Sequence, residues 1–171
     1  MLELKPISKN GIPGAIAKAE RYRLLNEPQE AESICRDILR IDPENEEVLV
    51  MLLLAITDQF GKSRELGAAQ AQQILGKLRG EYERAYYAGV ISERWGKARL
   101  RGEAHPSMAS GFFHEAMDWY GKAMALAPHD NDDAILRWNA CVRFMGQDPH
   151  LRAEVEESAS ESGFPDGAPA R

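Results

Sequence analysis

The chain has 171 residues, about the length of one domain. Hydrophobic residues make up 44% and charged residues 28%, a folded composition that excludes a wholly disordered polymer. The net charge of −6 argues against a dedicated nucleic-acid binder, which needs a basic stripe to neutralise phosphates.

Residues 1–11 read as an N-terminal extension without a signal-peptide layout, so the expected compartment is the cytoplasm. From there apolar residues recur at three and four, never for long at two, so an all-α chain is predicted. Helices are expected near 13–26, 28–41, 44–60, 63–79, 81–101, 107–127, 131–146 and 149–159. Pro13, Pro28, Pro43 and Pro149 suit first helical turns, where a missing N–H costs nothing. Asp42 and Asp148 precede two of them as candidate N-caps. Gly61, Gly80, Gly102 and Gly146 fall at expected helix ends, where a left-handed residue is wanted. The longest apolar run, Val48 to Ile56, is too short for a membrane span of about 20 residues. The polar tail, Ser158 to Arg171, lacks the apolar area to offset chain entropy and reads as disordered.

Charge is segregated. Residues 20–47 hold nine acids against four bases, and residues 62–103 hold nine bases against five acids. Arg94, Lys97 and Arg101 share one helix face and should form an exposed basic ridge, paired at most with acids such as Glu93.

A repeat is visible. The segment Pro28 to Pro43 is echoed by Phe112 to Pro128, with Ala31 meeting Ala116, Cys35 meeting Tyr120, and Ile38 meeting Ala123. With Ala19, Tyr22, Ala31 and Pro43, the stretch Ile12 to Asn45 resembles the tetratricopeptide repeat, a helix–turn–helix unit of about 34 residues. Cys35 and Ile38 depart from that pattern as apolar substitutes. The resemblance implies a right-handed α-solenoid of about eight helices. Its units would lie near 12–45, 46–80, 81–128 and 131–159, with a tail over 160–171. The third unit pairs Gly89 with Ala116 across a wider spacing than the family's, so both its helices should be lengthened.

The same resemblance places partner-binding residues on the first helix of each unit. The implied groove has an apolar floor of Ile16, Val50, Leu54, Val90, Ile135 and Val142, with Tyr86 beside it. Arg23, Arg94, Arg143 and Asn139 are its polar anchors, and Arg101 extends the ridge. The implied function is a non-enzymatic adaptor that binds a peptide or partner protein, without cofactor. An acidic segment with apolar anchors would suit the ridge and floor together. A holdase-type chaperone resembling small secretion chaperones of this family is the alternative.

Candidate chemistry is sparse. His114-Glu115-x-x-Asp118 is similar to a zinc-protease motif with its last ligand changed. A catalytic zinc site needs a third ligand and an open position, and the repeat register turns His114 and Asp118 outward. Cys35 and Cys141 fall at inward positions and read as buried thiols. Trp119, Tyr120 and Trp138 read as core.

Overall fold

A computed structural model of the chain describes residues 2–61, 66–101, 106–149 and 151. It is all-helical. A short 3-10 turn at Lys9–Gly11 leads into α1 (Ile12–Leu24), α2 (Pro28–Ile41), α3 (Glu46–Thr57) and α4 (Leu66–Leu75). There follow α5 (Glu81–Arg101), α6 (Pro106–Leu126) and α7 (Asp133–Gln147). The described residues thus hold seven α-helices, one fewer than the eight expected. The eighth, over 149–159, lies outside them apart from Pro149 and Leu151, as does the tail over 160–171. Among the described residues, no helix is long and apolar enough to cross a membrane.

Local chemistry explains the boundaries. Pro13 and Pro28 occupy the first turns of α1 and α2 as expected. Pro43 does not open α3. Asn45 caps that helix instead, accepting from the Val48 N–H at 3.1 Å, while Asp42 ends α2 and holds the Asn45 amide at 2.9 Å. The left-handed turns also fall elsewhere. Gly61 has φ +87°, but Asn26 (φ 60°) and Asp130 (φ 63°) take the other two, and Gly146 is an ordinary helical residue of α7. Asparagine and aspartate tolerate this region because their short side chains bond locally.

Packing runs between consecutive helices, with further contacts of α1 with α3 and of α3 with α5. Ala19, Ala31, Cys35 and Ile38 are fully buried, so α1 and α2 approach closely. The apolar run of α3 is buried or half-buried throughout, as its sandwiched position requires. One core gathers α1 to α4 with Ile91 and Ala98 of α5. A second gathers Val90, Phe113, Ala116, Tyr120, Cys141, Met145 and Leu151. Helices α5 and α6 run 21 residues each and form the most extensive pair. Glycine makes that closeness possible: a Cβ on Gly89 would lie 2.5 Å from the Tyr120 ring, and one on Gly96 would lie 3.0 Å from Phe113. Tyr120 is fully buried, whereas Trp119 and Trp138, expected in the core, are only half-buried.

Candidate functional site

Residues from α1, α3, α5 and α7 line one cavity of about 410 Å³. Five bases face it: Arg23 from α1, Arg94, Lys97 and Arg101 from α5, and Arg137 from α7. Two acids face it as well, Asp58 at the end of α3 and Glu93 of α5.

Each acid is held by several donors. Arg23 Nε donates to Asp58 Oδ2 at 3.0 Å, and Arg94 Nη1 approaches Asp58 Oδ1 at 2.8 Å. Arg94 Nη1 also reaches the Leu54 carbonyl at 2.9 Å and the Thr57 hydroxyl. These bonds tie α5 to the carboxyl end of α3. Asp58 thereby sits between two guanidinium groups from different helices.

Glu93 is 1% exposed, deep between α5, α6 and α7. Lys97 Nζ donates to its Oε1 at 2.5 Å and Arg137 Nη1 at 3.3 Å, while the Tyr120 hydroxyl donates to Oε2 at 2.7 Å. Burial alone would raise the Glu93 carboxyl. The Lys97 hydrogen bond, the Arg137 charge and the Tyr120 hydroxyl outweigh it, so its pKa is lowered and the group stays ionised. Tyr120 moves the other way, raised by burial and then by the Glu93 charge, and stays a neutral donor.

The residues expected to bind a partner divide. Arg23, Arg94 and Arg101 line the pocket. Arg94 is nonetheless no free ridge base, because it is half-buried and bonded to α3. Leu54 is half-buried and contributes its carbonyl. Tyr86 is half-buried among Tyr82, Tyr87 and Tyr120. Val90 is 1% exposed and packs inside the second core, so it forms no part of an open floor. Of the remaining floor, Ile16 and Val50 are half-buried against the first core, and Ile135 and Val142 are exposed. Asn139 and Arg143 lie on α7 away from the pocket lining, where Arg137 stands instead.

Arg137 was missed, although the sequence carries a signal for it. It shares the inward face of α7, three residues after Ala134 and four before Cys141. Glu93 has a similar signature, since it shares a helix face with Gly89 and Gly96, the two glycines of close approach.

The zinc-like motif is on the surface. His114 and Asp118 are exposed, and His114 Nδ1 lies 3.0 Å from the Ser110 carbonyl oxygen. Among the described residues, no group of three or more side chains could hold a metal ion. Both cysteines are buried, and burial pushes the Cys35 thiol up to about 11 and Cys141 to about 12. Comparison with family models, curated proteins and solved structures gave no match.

Proposed function

We propose that the protein is a non-enzymatic, cytoplasmic interaction module that binds a peptide or partner protein over the face carrying this pocket. In this reading the helices are hairpins of a right-handed, tetratricopeptide-like solenoid. Contacts between consecutive helices, and the fully buried Ala19, Ala31 and Ala116 at points of close approach, support it. The observation that carries the function is the convergence of α1, α3, α5 and α7 on one charged cavity. A partner suited to it is an acidic segment with interspersed apolar side chains. Charge would mainly speed encounter, and apolar contact would hold the complex.

The test is copurification with the wild-type chain, identification of what is retained, and titration of that partner at two salt concentrations. Arg101→Glu should weaken binding and reduce its salt dependence. Equal affinities at both salt concentrations for wild type and variant would remove the pocket from the interface.

A further inference from the structure

The pocket holds more positive charge than its two acids require. Asp58 is shared by Arg23 and Arg94, and Glu93 by Lys97, Arg137 and the Tyr120 hydroxyl. Among the described residues, five bases against two carboxylates leave an excess of three charges around about 410 Å³. Neutralising two carboxylates takes only two bases. Four of the bases are between 19% and 32% exposed, so water screens them less than it would on an open surface. They also oppose one another. Arg94 has its pKa lowered by burial first, then by Arg23 and Arg137, with Asp58 acting against the shift.

Donors are left over as well. Arg23 uses its Nε for Asp58, and Arg94 uses Nη1 for Asp58, Leu54 and Thr57. Arg101, exposed at the end of α5, has no ion pair among the described residues. Guanidinium groups carry five N–H donors each in a planar fork, more than the bonds named here use.

We propose that this pocket seats a phosphoryl group carried on a side chain of the partner. The proposal rests on the interaction-module reading and names what that site recognises. A carboxylate brings one charge and two oxygens. A phosphoryl group brings about −1.5 to −2 charges and three acceptor oxygens at neutral pH. That is nearer both the excess charge and the donor supply of arginines arriving from three helices. Arginine forks match phosphate geometry in pairs of hydrogen bonds. Asp58 and Glu93 do not bar an anion, because each is already held between cations.

The experiment is calorimetric titration of the full chain, at matched ionic strength, with three probes: inorganic phosphate, N-acetyl-O-phosphoserine amide and N-acetylglutamate amide. The phosphoserine probe should bind about tenfold or more tightly than the glutamate probe, as expected when arginine forks select phosphate. Arg101→Gln should weaken it several-fold with an unchanged melting temperature, because an exposed side chain with no ion pair among the described residues contributes little to folding. Arg23→Gln, on a different helix, should weaken it too. Equal binding of the phosphoserine and glutamate probes, or no binding by either, overturns the proposal, as does undiminished binding in both variants. Inorganic phosphate binding as tightly as the phosphoserine probe overturns the assignment to a partner side chain. These failures leave the module reading standing if the copurified partner still depends on Arg101. That reading fails alone if partner binding ignores Arg101→Glu while the phosphoserine probe still binds.

Discussion

The Tyr120 hydroxyl of α6 donates to Glu93 Oε2 of α5 at 2.7 Å, between residues 27 apart in sequence. Lys97 and Arg137 take the other oxygen, so one carboxylate joins three helices. Removing it strands two partly exposed cations and the hydroxyl of the fully buried Tyr120. Glu93→Ala should cost about 3–5 kcal/mol, the usual penalty for breaking a buried ion pair. Tyr120→Phe should cost about 1.5–3 kcal/mol, the loss of a hydrogen bond to a charged acceptor. Urea unfolding of the three proteins checks both figures. A Glu93→Ala midpoint equal to wild type would show that the network stabilises nothing.

The same carboxylate sets an acid limit. Its folded pKa lies below the ordinary value of 4.5, so it stabilises the fold above that value. The contribution disappears as pH falls through the lower, folded pKa. Arg137 and the Tyr120 hydroxyl, which face it, have raised pKa values and keep their protons throughout. Wild type should therefore lose stability below pH 4.5 more steeply than Glu93→Gln, whose side chain does not titrate. Parallel stability–pH curves for the two proteins would contradict this.

Two glycines should answer the same substitution with opposite signs. Gly89→Ala drives a Cβ to 2.5 Å from the buried Tyr120 ring, and overpacking of this kind costs about 1–3 kcal/mol. Gly121 lies inside α6 with nothing within 4 Å of a new Cβ. Gly121→Ala should stabilise by up to about 1 kcal/mol, the difference in helix propensity. Thermal melts of the pair test whether α5 and α6 approach where the structure puts them.

Arg94 and Arg101 should separate by stability. Sequence reasoning treats both as exposed bases whose charge reversal leaves folding intact. Arg94 is instead half-buried and bonded to Asp58 and the end of α3. Arg94→Glu should destabilise clearly, since it sets a carboxylate against Asp58. Arg101→Glu should change the unfolding midpoint little. Indistinguishable midpoints would mean that the α3–α5 tie contributes nothing.

Helix periodicity was legible because it recurs over whole turns. The limits of α2 and α5 agree with the expected ones, and α6 differs by one residue at each end. The short-range decisions were harder. Asp42 and Asn45 both suit a cap, and only their geometry shows that Asn45 caps while Asp42 steadies it. Of the bases singled out in the sequence on α1 and α5, Arg23, Arg94 and Arg101 line the pocket. On α7 the pocket is lined by Arg137 and not by Asn139 or Arg143. Two residues are about 200° around a helix, so a small error in register turns the face away. Val90 is buried and outside the pocket for another reason. Its neighbours on α5 serve two cores at once, which no single-faced helical pattern describes.

Those two cores share few side chains; Leu54 and Tyr87 pack against both. The pocket straddles them, with Arg23 and Asp58 on one side and Arg137 on the other. An occupant gripping Arg23 and Arg137 together would act as a splint across the joint. Amide protons of α2 and of α7 would then exchange more slowly in concert when it is filled.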